Sequence, residues 1–358
     1  LMYYFLYRWL TLAPGTPFRR CALPLFLSGL FWGIGAASKW TVIYGAVGLA
    51  VLYFIGLFSK LRDWPAEVSG KLPWLWKTLV IPVLIYTLSY WPYAAARGND
   101  AGLWGILAEI FAWPFTQLPQ VLGGARELFV KDSQNVVDIM LQNQHFMLTY
   151  HEGVTASHPY SSRWYQWIVD ARPILYYLDS TSGKAQGLKA AFGCFNNPVV
   201  CWTGLLAILA CGAQSFQRKG SRAAFFLSVA AVAVLACLGT ESAFRPDAGT
   251  AMLVGGVLLL VLGTALWLGY LSQLLPWMFI GRTTFEYHYF PSTLFLVLAI
   301  SLLFDGLMER SSRWKSGVYG LTATAVGLYL AFYPVLIGLM TPTWYTSSLL
   351  KWLPSWPF

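Results

Sequence analysis

The chain has 358 residues, of which 57% are hydrophobic, 17% aromatic and only 11% charged. Soluble globular domains carry charge on about 25% of their residues, so this composition excludes that class. Apolar stretches of about 18 to 25 residues, long enough for a membrane-crossing helix, recur along most of the chain. We therefore predict an all-α polytopic membrane protein that contacts membrane lipids. Its net charge of +9 is typical of basic loops facing anionic lipid, and we expect no nucleic-acid partner.

The first predicted elements are membrane helices joined by short turns. Residues 1–12 are the end of an apolar helix that stops at a cluster of helix-breaking residues. Residues 21–58 are apolar over nearly twice the length of one span, and only residues 38–41 interrupt them. This pattern predicts a helical hairpin with Lys39 at its tip. The following segment, 60–77, is basic, which places it in the cytoplasm and Lys39 on the outer side.

A further span over residues 79–93 returns the chain to the outer side, where residues 94–196 contain no long apolar run. Within them, apolar residues of the segment 132–150 recur at helical spacing. This spacing predicts an amphipathic helix that lies either at the membrane interface or against other parts of the protein. The apolar positions are Val136, Ile139, Met140, Phe146, Met147 and Tyr150.

The remainder, residues 197–358, is predicted to be a membrane region of four to five helices. Its apolar runs cover residues 198–216, 223–238, 250–275, 290–304 and 318–340. Basic loops at 217–222 and 305–315 are expected in the cytoplasm. Either part of the segment 223–262 is re-entrant or half inserted, or the sidedness assigned to this region is wrong. The predicted domains are thus residues 1–93, the extracytoplasmic loop 94–196, and residues 197–358.

A cluster of polar and aromatic residues at 157–167, continued at 172–177, lies in the predicted outer loop. It combines His158 and Arg163 with several Trp and Tyr side chains. Arginine beside aromatic rings suits the charge and ring of a phosphate-sugar ligand. The alternative is a belt of aromatic side chains at the water interface.

A second cluster, at residues 276–291, places Arg282, Glu286 and His288 between two spans. Charges so close to a bilayer are costly unless they are paired or line a cavity. The structural alternative is an ion pair between Arg282 and Glu286 that ties down the loop. No carboxylate cluster or paired-cysteine motif predicts a metal ion, and no phosphate-binding glycine loop predicts a nucleotide cofactor.

Four stretches, taken together and in chain order, resemble the protein O-mannosyltransferases, and their bacterial branch in particular. They are residues 33–41 (GIGAASKWT), 157–164 (SHPYSSRW), 197–202 (NPVVCW) and 276–291, with PW followed by RTTFEYHYFP. The resemblance covers nearly the whole chain. It implies a transferase of the GT-C type that moves mannose from a polyprenyl-phosphate donor to Ser and Thr hydroxyls of secreted proteins. It also implies the bacterial plasma membrane, with the active face extracytoplasmic.

The resemblance also implies roles for individual residues. Arg282 and His288, with Lys39 as a further candidate, are expected to contact the donor phosphate, whose charge grows as the sugar leaves. Residues expected to shape the donor-sugar or acceptor side are His158, Tyr160, Arg163, Trp164, Trp167, Tyr287 and Tyr289. The family's catalytic acidic pair is expected upstream of Leu1, in a segment that this sequence lacks.

Two carboxylates that flank the first cluster, Asp170 and Asp179, are interpreted as surface residues, since each has Arg or Lys nearby in the sequence. Two other functions stay open. A lipid-linked sugar transferase acting on a lipid or cell-wall polymer would share the fold and the phosphate-binding residues. A transporter would require paired repeats with broken helices, and the sequence shows no such repeat.

Overall fold

The computed structural model describes residues 1–153, 158–219 and 265–358. The chain divides into two compact units, Leu1–Thr155 and Ala156–Phe358, and the division falls inside the predicted outer loop. Five segments of the described residues are helical, long and apolar enough to cross a membrane. They are Phe18–Ser38, Trp40–Asp63, Ala66–Ala96, Glu286–Arg310 and Trp314–Ile337. The prediction of a helical membrane protein is confirmed.

The described part of the N-terminal unit is built from nine α-helices. Helices α1 to α9 are Met2–Leu10, Phe18–Ser38, Gly45–Asp63, Ala66–Ser69, Val80–Leu88, Trp91–Ala96, Gly102–Thr116, Leu118–Leu122 and Val136–Gly153. Two 3₁₀ segments, Trp40–Tyr44 and Leu72–Leu79, connect α2 to α3 and α4 to α5.

The hairpin predicted over residues 21–58 is confirmed as α2 and α3. Lys39 lies between them with an extended backbone, just before the 3₁₀ turn. Helix α2 packs along α1 and α5. A Cβ atom at Gly33 would lie 2.8 Å from the Cα atom of Pro82, so a glycine is what allows α2 and α5 to approach this closely.

Lys60, near the end of α3, is only 5% exposed and closes the end of α1. Its Nζ donates hydrogen bonds of 3.2 Å to the carbonyl oxygens of Leu10 and Leu12. It also lies over the rings of Trp9 and Trp64, at 5.4 and 4.4 Å from their centroids. Carbonyls at a helix end lack partners within the helix, and a cation there is favourable. Lys60, one of the basic residues from which the cytoplasmic side was predicted, therefore also stabilises the packing of α1 on α3.

The amphipathic helix predicted within 132–150 is confirmed as α9, which begins at Val136. Its first turn is buried in a cluster with α6 and α7 that includes Ile106 and Trp113, whereas Phe146 and Tyr150 are exposed. The first half of α9 therefore packs against protein. Placement of the second half at a membrane interface stays a prediction.

An ion pair between Arg126 and Asp138 lies beneath this cluster, and the Asp138 side chain is 1% exposed. Asp138 also accepts hydrogen bonds from Trp113 Nε1 (2.8 Å) and Ser133 Oγ (2.7 Å). Burial by itself would raise the pKa of Asp138, but these hydrogen bonds and the Arg126 charge hold it below its ordinary value of 3.8. Their stabilising contribution is thus present above about pH 4 and is lost as the pH falls through the lowered pKa.

The C-terminal unit combines helices with a small sheet. Helices α10 to α14 are Trp164–Trp167, Pro198–Lys219, Ala265–Leu274, Phe290–Arg310 and Trp314–Ile337. Strands β1 to β3 are Ile174–Asp179, Leu188–Cys194 and Met340–Pro342. Shorter 3₁₀ turns are Lys184–Gln186, Leu275–Met278 and Glu286–Tyr289, and Tyr345–Leu350 is a π-helix. Helix α13 packs on α11 and α12.

The sheet is antiparallel with the order β1-β2-β3, and it was not predicted from the sequence. Leu178 of β1 pairs with Ala191 of β2, and Lys189 of β2 pairs with Thr341 of β3. Gly338 ends α14 in the left-handed region, with φ of +73°, and so turns the chain into β3. The sheet thereby ties the segment 174–194 to the end of the last long helix.

Aromatic side chains from the end of the chain form the core beside this sheet. The Phe195 ring lies 5.1 Å from Phe332, 5.6 Å from Trp356 and 5.3 Å from Phe358, measured between centroids. Phe195 directly follows β2, so this cluster fixes the junction between β2 and α11. Neighbouring Asn196 at this junction is 9% exposed.

The topological conflict predicted between 217–222 and 305–315 concerns residues that mostly lie outside the described part of the chain. The run 223–238 and the re-entrant segment predicted within 223–262 fall there entirely. The run 250–275 is described only from Ala265, as α12 and the following 3₁₀ turn. The sidedness of this region stays a prediction.

We predict that Arg126→Met destabilises the packing of α7 on α9 by about 3–5 kcal/mol, because the buried Asp138 carboxylate would lose its counter-charge. The measurement is native-state hydrogen exchange of the amides around Trp113 and Val136 in detergent. Arg62→Met is the matched control, since Arg62 forms an exposed ion pair with Asp63, and such pairs contribute little. Equal protection of α7 and α9 in both variants would contradict the role given to Arg126.

Candidate functional site

The two clusters singled out in the sequence come together in the C-terminal unit. The first segment is defined as residues 158–172, which include α10, and the second segment as residues 276–291, which lead into α13. Pro291 sits in the first turn of α13, where its missing N–H has no partner to lose. The second segment thus ends where a regular long helix begins.

Reciprocal hydrogen bonds join the two segments. The Ser162 N–H donates to the Thr284 carbonyl oxygen (2.9 Å), and Thr284 Oγ1 donates to the Ser162 carbonyl oxygen (2.6 Å). Trp167 Nε1 donates to Ser162 Oγ (2.8 Å), so both the backbone and the side chain of Ser162 are used. Ser162 and Thr284 are 3% and 7% exposed. Because buried hydrogen bonds without water competition are costly to break, the segments are held in one register.

Ring packing reinforces this connection. The His288 ring lies 4.1 Å from Trp277 and 6.0 Å from Trp167, measured between centroids, and the two tryptophans meet edge to face. At the rim, His158 of the first segment meets Phe285 of the second at 5.1 Å, also edge to face. The same histidines that were predicted as ligand contacts therefore also hold the two segments together.

Arg282 is half-buried in the second segment. Its Nη1 donates to the Thr283 carbonyl oxygen (3.1 Å), and its charge acts on the Tyr287 phenol. Among the described residues it forms no ion pair with Glu286, so the ion pair offered as a structural alternative is wrong. The reason is that Glu286 turns inward, to Asn196 and Asp170.

Asp170 is completely buried, and its interpretation as a surface carboxylate is wrong. Its backbone adopts the left-handed region, with φ of +57°, after the single turn of α10, and this turn aims the side chain inward. Burial raises the pKa of Asp170 from 3.8 to about 6. Asp179, in contrast, accepts hydrogen bonds from the backbone of Thr181 and Ser182 in a surface turn, as expected.

The other predicted site residues differ in how much surface they offer to a ligand. Those that are exposed or half-buried are His158, Tyr160, Arg163, Trp164 and Tyr287. Trp167 and Tyr289 are 0% exposed, and His288 is 5% exposed. The Tyr289 hydroxyl is hydrogen-bonded to that of Tyr270 at 2.8 Å. Ligand contact by any of these residues stays a prediction.

Lys39 belongs to the N-terminal unit, where it is exposed at the tip of the hairpin. Its contact with a donor phosphate also stays a prediction. In the described ranges, no three His, Cys, Asp or Glu side chains are grouped as ligands for a metal ion.

The pairing of Asp170 with Glu286, and the part that Asn196 takes in it, were not predicted from the sequence. Asn196 donates from Nδ2 to Glu286 Oε1 (3.1 Å) and from its backbone to Asp170 Oδ1 (3.4 Å). One signal was present: acidic residues are rare in this chain, and a glutamate inside an otherwise aromatic segment is costly unless it has a buried partner.

The exposed part of the site combines a half-buried guanidinium, that of Arg282, with a second guanidinium at Arg163 and with flat aromatic rings. Guanidinium groups bind phosphate oxygens through two parallel hydrogen bonds, and aromatic faces pack on apolar faces of sugar rings. Side chains of these types suit an anionic ligand with a cyclic group attached.

Comparisons with known proteins point in the same direction. Residues 136–356 match the model of the C-terminal four-transmembrane region of protein O-mannosyltransferases. The polyprenol-phosphate-mannose–protein mannosyltransferase of Mycolicibacterium smegmatis is 24% identical over 362 residues, which cover 92% of this chain and 57% of that protein. Its counterpart in Mycobacterium tuberculosis is 26% identical over 359 residues, with the same coverage. Protein O-mannosyl-transferase 2 of Drosophila pseudoobscura is 33% identical over 105 residues, or 27% of this chain and 14% of that protein.

The bacterial relatives are aligned over nearly all of this chain, although the chain spans 57% of their length. The family model alone covers more than half of the chain and includes both segments of the site. The expected GT-C type membrane fold agrees with this match. The chain belongs to the protein O-mannosyltransferase family.

Proposed function

We propose that the protein containing this chain transfers mannose from a polyprenyl-phosphate donor to Ser or Thr hydroxyls of secreted proteins. We place the reaction at the outer face of a bacterial plasma membrane. The proposal is supported by the names of the bacterial relatives, which specify a polyprenol-phosphate-mannose donor and a protein acceptor. Its main structural support is the half-buried Arg282, which lies on the second segment, and this segment is hydrogen-bonded to the first.

The reaction requires stabilisation of a departing phosphate. The bond between the anomeric carbon and the phosphate oxygen breaks, the acceptor oxygen attacks that carbon from the opposite side, and the hydroxyl proton goes to a base. Negative charge develops on the lipid phosphate as it leaves. We assign the neutralisation of this charge to Arg282, because a preorganised guanidinium outside bulk water stabilises such charge effectively.

Arg163, His158 and Trp164 are proposed to line the sugar or acceptor side, since they present surface on the first segment. Tyr160 and Tyr287 are proposed beside them on the same grounds. His288, Trp167 and Tyr289 are proposed to act mainly by supporting the second segment from within. Neither Asp170 nor Glu286 is proposed as the base, because neither has surface from which to reach an acceptor hydroxyl.

We predict that Arg282→Lys lowers mannose transfer more than tenfold in the full-length protein, which corresponds to about 1.4 kcal/mol or more of transition-state stabilisation. Lysine keeps the charge but loses the two-pronged hydrogen bonding. The assay is transfer of labelled mannose from the lipid donor to a Ser/Thr-rich peptide. Arg310→Lys, at the exposed far end of α13, is the matched control. Full transfer by Arg282→Ala would refute the assignment, and transfer only to lipid or polymer acceptors would replace the proposed acceptor.

We also predict that the first segment and the sheet face the outside. In a background without native cysteines, Ser182→Cys, on the exposed turn between β1 and β2, is expected to react with an impermeant thiol reagent in intact cells. Ser312→Cys, exposed in the basic loop before α14, is expected to react only after the membrane is opened. The reverse pattern would show that the proposed orientation is inverted.

A further inference from the structure

Asp170 and Glu286 form a buried pair of carboxyl groups that the proposed chemistry does not use. Both side chains belong to residues that are 0% exposed, and Asn196 is hydrogen-bonded to both carboxyl groups. Asn196 satisfies one oxygen of each, Asp170 Oδ1 and Glu286 Oε1. Among the described residues, the second oxygens of the two groups, Asp170 Oδ2 and Glu286 Oε2, are buried and have no hydrogen-bond donor.

A carboxyl group can donate a hydrogen bond to another only when it carries a proton. Two ionised carboxylates held by the same asparagine, both removed from water, would repel strongly without solvation to offset the repulsion. The pair must therefore hold at least one proton to keep this geometry. Such sharing of one proton is known for other closely spaced carboxyl pairs.

Among the groups that the structure describes around the pair, none supplies a positive charge paired with it in place of that proton. The titratable groups that interact electrostatically with the two carboxyl groups are the thiols of Cys194 and Cys201 and the phenol of Tyr289. These groups come from β2, α11 and the turn before α13, and each is neutral near pH 7 in its ordinary state. In the described part of the chain, no lysine, arginine or histidine forms an ion pair with either carboxyl.

The pair connects three elements at the back of the site. Asp170 lies near the end of the first segment, and its carbonyl oxygen accepts a hydrogen bond from Trp356 Nε1 (2.9 Å), which anchors its backbone in the core. Asn196 lies at the junction of β2 and α11. Glu286 opens the 3₁₀ turn Glu286–Tyr289 and lies four residues after Arg282. The pair is thus a second connection between the segments, in addition to the bonds of Ser162 and Thr284.

We propose that Asp170 and Glu286 are positioning residues whose shared proton holds the second segment, and with it Arg282, in the geometry that receives the donor phosphate. The functional part of this proposal rests on the proposed transferase activity, whereas the shared proton is a property of the chain itself. Loss of that proton at alkaline pH would leave two buried negative charges and force the segments apart.

The shared proton is tested by infrared spectroscopy on this chain in detergent. We expect a carbonyl band of a protonated carboxyl group near neutral pH, and its loss in both Asp170→Asn and Glu286→Gln. Each amide can donate to the remaining carboxylate, so the hydrogen bond survives without a titratable proton, and asparagine tolerates the left-handed backbone at position 170. Asp305→Asn and Glu309→Gln, at exposed positions of α13, are the matched controls and should keep the band. A band that survives both buried substitutions, or its absence in the native chain, would overturn the proposal.

The positioning role is tested by the pH dependence of mannose transfer in the full-length protein. We expect mannose transfer by the native protein to fall at alkaline pH. Glu286→Gln should retain transfer and abolish this fall, because an amide–carboxylate pair has no shared proton to lose. Glu286→Leu, which leaves Asp170 without its partner, should lower transfer at least tenfold at every pH.

The outcomes separate the two proposals. Unchanged alkaline loss in Glu286→Gln, with active native protein, would refute the positioning role and leave the transferase function intact. A native protein without any mannose transfer would refute the proposed function, and the infrared result would then decide alone whether the proton is shared. A pair that serves only stability would alter the amount of folded protein but not the pH profile of what remains.

Discussion

The site depends on the reciprocal hydrogen bonds between Ser162 and Thr284. They join two stretches separated by more than a hundred residues in the sequence. One bond is between backbone groups, and the other is donated by the Thr284 hydroxyl to the Ser162 backbone. Around them, Trp167, Trp277 and His288 exclude water and so strengthen the same bonds. These contacts also position the side chains at the rim of the site, including the half-buried Arg282.

Buried polar side chains hold three segments of the described chain in place. Lys60 closes the end of α1, Asp138 orders the loop before α9, and the pair of Asp170 and Glu286 supports the second segment. Each is buried and forms hydrogen bonds within the protein. Because an unpaired polar group costs more in an apolar environment than in water, such contacts permit few alternative arrangements.

The long helices and the hairpin around Lys39 could be predicted because apolar length and basic loops are local signals in the sequence. The three-stranded sheet could not, since β3 follows β2 only after the four described helices α11 to α14 and contributes three residues. The burial of Asp170 could not be predicted from the sequence either, because the arginines near it in the sequence suggested a solvated surface. Only the left-handed turn after α10 and the distant Glu286 place that carboxyl inside. Membership of the family was recognisable from motif order, whereas contacts between motifs required coordinates.

Our central proposal is that the hydrogen bonds between Ser162 and Thr284 hold Arg282 in position to bind the donor phosphate. A double-mutant cycle on binding of polyprenyl-phosphate mannose tests it directly, with Thr284→Val removing the hydroxyl donor and Arg282→Ala removing the guanidinium. The account predicts that Thr284→Val weakens donor binding in the native background and has little further effect once Arg282 is gone. Strictly additive losses, or native affinity in Thr284→Val, would contradict it.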